Sequence, residues 1–470
     1  MLFNSIEFLL FFPIVFLLYW FVFNKRLKYQ NILLLLASYI FYGWWDWRFL
    51  SLILFSSFVD YFTGLKIHSS ENKKVRKRWL ILSLFSNLGL LGVFKYYNFF
   101  ASSFYDLMLG FGWQVDDLTL HIILPVGISF YTFQTLSYTI DIYRKEFKPT
   151  KDIISFFTYI SFFPQLVAGP IERASNLLPQ MEVKRVFKQK WFNEGAFQIL
   201  IGLFRKIVIA DNLGAYVDTI YNNSEIHNSS SLIIATIFYA FQIYYDFAGY
   251  SDIAIGSAKL LGFKFNQNFN LPYFSKSITE FWRRWHMSLS FWLRDYLYIS
   301  LGGNRKGIII TYRNLMITML LGGLWHGSSW NFVVWGAIHG VVLSCEKFIF
   351  SYKKTSTFGF IGYITTFLIV LLSWVFFRAK DLNTSILIIK KIIHFDFLMP
   401  FIGDANNVTI SIVMLMIGIF FDFFLYKNKY NLEDLGSTFG EFKFVSLSTL
   451  IIVLLILFYS TSNNFIYFQF

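Results

Sequence analysis

The sequence predicts an all-α, polytopic transmembrane helical bundle. Of the 470 residues, 56% are hydrophobic and 15% are charged, and the mean hydropathy is +0.52. This composition lies well outside the range of soluble globular proteins. Apolar runs also recur along the whole chain, and many approach the roughly 20 residues that a membrane-crossing helix needs. We expect about 11 to 12 spans, together with re-entrant and amphipathic interfacial helices.

The first apolar run, residues 6 to 23, is predicted to be a retained helix with its N-terminus outside. It lacks a basic segment before it, and the cluster Asn24-Lys25-Arg26-Leu27-Lys28 follows it. A cleavable signal peptide has the opposite pattern. The loop 66 to 78 carries six Lys or Arg against one Glu, and two apolar runs, 30 to 43 and 49 to 65, separate it from the first basic cluster. Both basic segments are therefore expected on the cytoplasmic side.

The remaining apolar runs give the other spans, and the shorter ones are expected to be re-entrant. No repeat and no Pro-, Gly- or Ser-rich linker divides the chain, which predicts a single membrane domain, residues 1–470. Within it, 172–194 and 262–313 are predicted to be cytoplasmic or interfacial segments, the second of them strongly basic. The runs are 79–94, 121–140, 153–170, 195–211, 231–250, 308–324, 330–350, 358–377, 407–426 and 445–461.

Charge and cysteine content exclude several classes of site. The net charge of +13 is explained by cytoplasmic Lys and Arg beside anionic lipid headgroups, so we expect no nucleic-acid partner. Cys345 is the single cysteine, which rules out an intrachain disulfide and a thiolate metal site. The seven histidines show no ligand spacing, so no metal is predicted.

The segment from Asn268 to Gly307 mixes aromatic and basic residues. Between Ser277 and Ser300 the apolar residues recur every three or four positions, which predicts one amphipathic helix at the membrane surface, capped by Ser277 or Thr279. Its arginines and the following GGNRKG loop could bind phosphate, although contact with lipid headgroups explains them equally well. The predicted phosphate-binding residues are Arg283, Arg284, Arg294, Arg305 and Lys306.

His326 is the most informative residue, because it lies in an apolar stretch, Thr318 to Gly340, that is long enough to cross a bilayer. An ionisable side chain in such a stretch indicates a functional site facing a cavity. Two alternatives remain at this stage. The histidine could join two membrane helices by a hydrogen bond, or Ser328 or Ser329 could act as a nucleophile, although neither serine lies in a G-x-S-x-G turn.

Several motifs together resemble the membrane-bound O-acyltransferase superfamily, and within it the branch of alginate and peptidoglycan O-acetyltransferases. They are FWRRWHMSLSFWLRDYLYISLGGNRKG, LWHGSSWNFVVWGAIHG, MLFNSIEFLLFFPIVFLLYW, ASYIFYGWWDWRFL, VGISFYTFQTLSYTIDIYR and FFPQLVAGPIER. The resemblance covers nearly the whole chain. It implies a helical bundle around a central tunnel, which an acyl thioester enters from the cytoplasm and an acceptor enters from the other face.

The resemblance also implies catalytic residues. The family's histidine in the WHG motif corresponds to His326, and its upstream partner position corresponds to His286. A neutral histidine has the basicity to take a hydroxyl proton near neutral pH while that oxygen attacks a thioester carbonyl. The implied donor is acetyl-CoA, which acts as a substrate, and no permanently bound cofactor is implied.

The C-terminal segment, residues 445–470, ends in FIYFQF. On composition its aromatic residues are interfacial anchors. By resemblance, Tyr467 would carry the acyl group to an extracytoplasmic SGNH-type acetyltransferase, which would modify a polysaccharide acceptor such as peptidoglycan or an alginate-like polymer. With the N-terminus outside, this role requires an even number of spans. The implied location is the bacterial cytoplasmic (inner) membrane, in contact with the lipid bilayer.

Other functions stay open on sequence, among them a protein-lipidating acyltransferase of the same superfamily, which the alginate-branch motifs disfavour. A related teichoic-acid branch transfers D-alanine from a carrier protein, although the C-terminal FIYFQF favours the acetylating branch. A transporter or polysaccharide-export scaffold could use the histidine to gate a proton path. Against a transporter, the chain lacks paired intramembrane carboxylates and detectable inverted repeats. Asp246 and Asp252 are the nearest carboxylates, and we expect them to be structural or to line the tunnel.

Overall fold

The computed structural model describes residues 1–167, 169–353, 358–396, 398–438 and 440–459, and these ranges contain helices and no strand. The chain forms two compact units. The first comprises Met1–Lys188 with Ala258–Phe265, and the second comprises Gln189–Ser257 with the described residues from Asn266 onward. The predicted single domain stays a prediction.

The first unit contains nine complete α-helices among its described residues. Polar side chains begin several of them: Ser5 accepts a hydrogen bond from the Phe8 amide, and Asn72 accepts one from the Lys74 amide. A 3-10 turn, Trp47–Phe49, joins α2 to α3, and Trp47 is exposed there. The helices are α1 Ile6–Leu17, α2 Leu27–Asp46, α3 Leu50–Ser69, α4 Lys73–Leu91, α5 Tyr97–Gly110, α6 Ile128–Arg144, α7 Ile153–Ser161, α8 Phe163–Leu166 and α9 Ala174–Met181.

The second unit holds the sequence motifs that predict the site. Its helices are α10 Gln189–Leu203, α11 Asp211–Asn222, α12 Ser229–Leu260, whose last three residues belong to the first unit, α13 Ile278–Trp282, α14 Met287–Trp292, α15 Ile308–His326, α16 Trp330–Lys353, α17 Gly359–Arg378, α18 Leu382–Ile393, α19 Ala405–Asn428, α20 Leu435–Thr438 and α21 Glu441–Phe458. Wider π-helical turns, Phe204–Ala210 and Leu293–Tyr298, follow α10 and α14.

Helices α15 and α16 pack tightly because glycine removes the side chain where they meet. A Cβ atom on Gly323 would collide with the carbonyl oxygen of Phe332, and one on Gly336 would collide with that of Met319. Small residues at such contacts allow membrane helices to approach closely. The tight contact brings the C-terminal end of α15, where His326 lies, against the first turns of α16.

Seven helical stretches of the described chain are long and apolar enough to cross a membrane: Leu27–Ser69, Lys73–Gly110, Ser229–Leu260, Ile308–His326, Trp330–Tyr352, Gly359–Arg378 and Ala405–Asn428. Shorter apolar helices are Ile6–Val22, Ile153–Leu166 and Phe442–Phe458. The all-α polytopic prediction is confirmed. The expected 11 to 12 spans and the central tunnel stay predictions.

The single amphipathic helix predicted from Ser277 to Ser300 is wrong. Ser277 does cap a helix, because its hydroxyl accepts a hydrogen bond from the Glu280 amide, but α13 ends at Trp282 and α14 starts only at Met287. Between them, His286 adopts a left-handed backbone conformation with φ 41° and ψ 54°. A new helix, α14, begins directly after His286.

Candidate active site

The turn that carries His286 is built by hydrogen bonds to a segment that precedes it in sequence. The Met287 amide donates to the Asn268 carbonyl at 2.8 Å, and the Asn270 amide donates to the Arg284 carbonyl at 2.9 Å. A left-handed conformation costs an L-residue about 1–2 kcal/mol, so it persists only where surrounding contacts fix it. His286 is completely buried at this strained position. An outlier of this kind points to a functional role for the side chain.

Asn268 holds the imidazole of His286 from one side. Its Oδ1 lies 3.2 Å from His286 Nδ1 and accepts hydrogen bonds from the Ser288 hydroxyl at 2.8 Å and the Ser288 amide at 3.2 Å. Its Nδ2 donates to Ser251 Oγ, on α12, at 3.1 Å. Asn268 is itself fully buried. Burial lowers the pKa of His286 to about 3, because a charged imidazole would lose its hydration there.

His326 is the last residue of α15, and only 4% of it is exposed. Aromatic rings surround it, with centroids 5.0 Å away for Trp325, 5.1 Å for Trp335 and 5.2 Å for Phe377. The imidazole rings of His286 and His326 lie 6.4 Å apart between centroids. The structure therefore brings the two predicted histidines close together from separate elements.

A third histidine, His339, lies close by on α16 and was given no role from sequence. The Trp282 indole N–H donates to its Nδ1 at 3.3 Å, and its Nε2 lies 3.1 Å from the Ser373 hydroxyl. An indole nitrogen can only donate, so Nδ1 of His339 carries the lone pair and Nε2 carries the hydrogen. His339 is also fully buried, and both of its ring nitrogens are engaged. This arrangement is typical of a structural histidine.

A second buried polar group, at the start of the π-helical turn after α10, was also missed. Arg205 binds the carboxylates of Asp252 at 2.7 Å and Asp422 at 2.8 Å. The adjacent Lys206 binds Asp211 at 2.7 Å and Asp246 at 2.8 Å. We call these six residues the ion-pair cluster. The signal was present as Arg-Lys within the apolar run 195–211, but nothing in the sequence pairs these cations with carboxylates on distant helices.

A cavity of about 210 Å³ lies between α12, α17 and α19. Its lining is mostly aromatic and includes Tyr244, Tyr273 and Phe367, with Asp422 as the ionisable group. None of the predicted functional residues that the structure describes lines this cavity. The rings of Tyr244 and Tyr273 instead pack about 6 Å from Trp285, with centroids at 6.3 and 6.2 Å. The cavity is therefore next to the aromatic rings that pack on Trp285, and neither His286 nor His326 lines it.

The predicted phosphate-binding residues differ in whether a carboxylate already binds them. Arg284 is paired with Glu280 at 2.8 Å, and Arg294 is paired with the neighbouring Asp295 at 2.6 Å. The other three, Arg283, Arg305 and Lys306, are exposed. Because each already binds a carboxylate, Arg284 and Arg294 can offer less positive charge to a phosphate. Tyr467 lies outside the described residues.

Comparison with known proteins agrees with these features. Residues 143–389 match the model of the membrane-bound O-acyltransferase family, and this range contains His286, His326 and His339. A probable alginate O-acetylase, AlgI, of Pseudomonas putida is 43% identical over 82% of this chain and 79% of its own length. The peptidoglycan O-acetyltransferase of Helicobacter pylori is 37% identical over 84% of this chain and 80% of its own length.

A more distant relative is the teichoic acid D-alanyltransferase of Bacillus subtilis, which is 29% identical over 49% of this chain and 60% of its own length. The family match and the two closer similarities extend over both sequence motifs that carry the histidines. The chain is therefore a multi-pass membrane protein and an acyltransferase, and it belongs to the membrane-bound O-acyltransferase family.

Proposed function

We propose that this protein takes an acetyl group from cytoplasmic acetyl-CoA and passes it across the bacterial cytoplasmic membrane for O-acetylation of a cell-surface polysaccharide. The observation that carries the proposal is the meeting of His286 and His326, 6.4 Å apart between ring centroids, in a buried site lined by aromatic rings. The similarity to alginate and peptidoglycan O-acetylating proteins supports acetyl as the transferred group and a glycan as the acceptor.

His326 is the proposed general base. A hydroxyl oxygen attacks the thioester carbonyl carbon, its proton moves to the imidazole, the new C–O bond forms, and the C–S bond breaks. The imidazolium then returns the proton to the CoA thiolate. General-base assistance of this kind contributes roughly 10²- to 10⁴-fold in rate. The aromatic rings around His326 exclude water, which would otherwise hydrolyse the thioester.

His286 is the proposed second catalytic group. Its neutral form, favoured by burial, can hold the attacking hydroxyl or share its proton. His286 and His326 come from different segments of the chain, so the site exists only in the folded protein. The strained turn at His286 costs stability, and this cost is consistent with selection for the position of the ring.

The attacking hydroxyl is proposed to be the phenol of Tyr467, which would hold the acetyl group as an ester until an extracytoplasmic SGNH-type acetyltransferase removes it. A phenol with a pKa of about 10 needs a base to become a good nucleophile, and it leaves readily from its ester. On the donor side, the exposed cations Arg283, Arg305 and Lys306 would contact the CoA phosphates. Arg284 and Arg294 would contribute less, because each already binds a carboxylate.

The experiment is acetyl transfer from radiolabelled acetyl-CoA to the purified protein in liposomes, followed by peptide mass spectrometry. We expect label on Tyr467 in the wild type, none in Tyr467→Phe, and a loss of roughly 10²- to 10⁴-fold in the labelling rate of His326→Ala. His394→Ala, at an exposed histidine, is the matched control and should label normally. If no variant is labelled by acetyl-CoA but a D-alanyl carrier protein acts as donor, the acetyl proposal is wrong.

A further inference from the structure

The orientation of the Asn268 side chain is fixed by a backbone group. The amide of Ser288 lies 3.2 Å from one terminal atom of Asn268. A backbone N–H can only donate, so this atom must be the amide oxygen rather than the nitrogen. The other terminal atom is then the nitrogen, and it faces the Ser251 hydroxyl at 3.1 Å, which accepts. All the neighbours of this buried amide agree with one assignment.

The same oxygen faces His286 Nδ1 at 3.2 Å. A neutral imidazole carries one hydrogen and one lone pair, on different nitrogens. If Nδ1 carried the lone pair, two lone pairs would face each other inside a fully buried site. The Ser288 hydroxyl also lies 3.5 Å from Nδ1, but it donates its hydrogen to Asn268 Oδ1 at the shorter distance of 2.8 Å. The arrangement is therefore most favourable when Nδ1 carries the hydrogen and donates it to Asn268. The lone pair then resides on Nε2.

Because the proposed function needs His286 as an acceptor, the fixed tautomer has a consequence for catalysis. We propose that Asn268 is a positioning residue that holds His286 as the Nδ1–H tautomer, so that Nε2 accepts a hydrogen bond in the reaction centre shared with His326. The inference rests on the proposed function for its catalytic meaning, but the tautomer itself is a property of the resting protein. Asn268 differs from the partners of His339, which enforce the opposite tautomer.

The backbone supports the same assignment. Asn268 uses its carbonyl to bind the Met287 amide and its side chain to bind the Ser288 amide, so one residue fixes both the left-handed turn and the ring that it carries. Ser251, which holds the far end of the Asn268 amide, precedes Asp252 of the ion-pair cluster on α12. The position of His286 is thereby anchored to a membrane helix rather than to a loop.

The test is ¹⁵N NMR of histidine-labelled protein in liposomes without donor, because the protonated and unprotonated ring nitrogens have well-separated shifts. The His286 signals are identified by their absence in His286→Gln. We expect a protonated Nδ1 and an unprotonated Nε2 in the wild type. Ser288→Ala is the matched control and should keep this pattern, because the Ser288 amide still orients Asn268. Asn268→Asp should keep Nδ1 protonated, since a carboxylate oxygen also accepts.

In Asn268→Leu, which has a similar shape and no acceptor, the tautomer preference should disappear, and kcat for acetyl transfer should fall by roughly 10- to 100-fold with little change in KM. Asn268→Asp should recover most of this loss. A protonated Nε2 in the wild type, or unchanged nitrogen shifts in Asn268→Leu, would overturn the inference. If Asn268→Leu does not fold, the wild-type spectrum alone decides. A failure of acetyl transfer in every variant would count against the proposed function and leave the tautomer assignment standing.

Discussion

Two buried polar regions of the second unit are stabilised in opposite ways. In the ion-pair cluster, full charges are held by opposite charges at 2.7 to 2.8 Å. In the histidine centre, formed by His286 and His326, burial favours the neutral form of His286. An amide and a hydroxyl hold His286 in place, and aromatic rings surround His326. The consecutive residues Ser251 and Asp252 of α12 contribute one to each region. The two regions therefore suit different roles. Paired charges in the ion-pair cluster hold helices together, whereas a neutral imidazole can still accept a proton.

The comparison predicts its largest effect at Arg205. Arg205→Met leaves the carboxylates of Asp252 and Asp422 buried beside each other without their cation. Removal of one partner from a buried ion pair costs about 3–5 kcal/mol. We expect a large fall in the thermal unfolding temperature of the detergent-solubilised protein and in its folded yield.

Arg48→Met is the matched control, because Arg48 is exposed and pairs with Asp46 at the surface. It should leave the unfolding temperature nearly unchanged. Equal unfolding temperatures of the two variants would show that the ion-pair cluster stabilises the fold no more than a surface ion pair does.

The second prediction concerns pH, where the histidine centre should respond. The folded-state pKa of His286 is lowered to about 3 from its ordinary value of 6.5. Between these values the unfolded chain binds a proton that the folded protein does not, so stability is fully present above pH 6.5 and is lost as the pH falls toward 3. At pH 5 the loss from this one group amounts to about 2 kcal/mol.

Thermal unfolding at pH 7.5 and pH 5, for the wild type and His286→Gln, measures this contribution. The acid-induced fall in unfolding temperature should be smaller in His286→Gln, because glutamine does not titrate. The exposed His394→Gln should show the wild-type fall. An identical fall in all three proteins would mean that His286 is not the buried neutral group described above.

Substitutions of exposed cations should have the smallest effects, in contrast to the substitution of the buried Arg205. Arg305→Gln or Lys306→Gln should raise KM for acetyl-CoA by about two- to fivefold each and weaken its dependence on salt, since exposed charge contacts contribute about 0.2–1 kcal/mol. Arg284→Gln should raise KM less, because Arg284 is paired with Glu280. Initial rates against donor concentration at two ionic strengths measure both quantities. No change in KM or salt dependence in any variant would remove these residues from the donor site.

The sequence predicted the fold class and the unusual position of His326, because apolar runs and an ionisable residue within one of them are local features. The pairing of His286 with His326 came only from resemblance to a family, since 40 positions separate them and no periodicity links them. The structure shows that His286 interrupts the predicted helix, because Asn268 and Asn270 supply hydrogen bonds from a preceding segment. Such tertiary contacts override a favourable helical pattern.

The ion-pair cluster could not be predicted for a similar reason. Arg205 and Asp252 are 47 residues apart, and Arg205 and Asp422 are 217 apart. A sequence pattern shows that a cation lies in an apolar run, but it does not show which carboxylate neutralises it. We expected Asp246 and Asp252 to be structural or to line the tunnel, and in the structure each forms a buried ion pair. Asn268 was missed because an asparagine in a polar loop carries no signal that distinguishes it from its neighbours.

The central claim is that His286 and His326 act as one reaction centre, and a double-mutant cycle of acetyl-transfer rates tests it most directly. The rates of His286→Ala, His326→Ala and the double variant are compared with the wild type under saturating donor. Residues that act as a unit are strongly non-additive. We predict that the double variant is about as slow as the slower single variant. Rate losses that simply multiply would show that the two histidines act independently and would contradict the account.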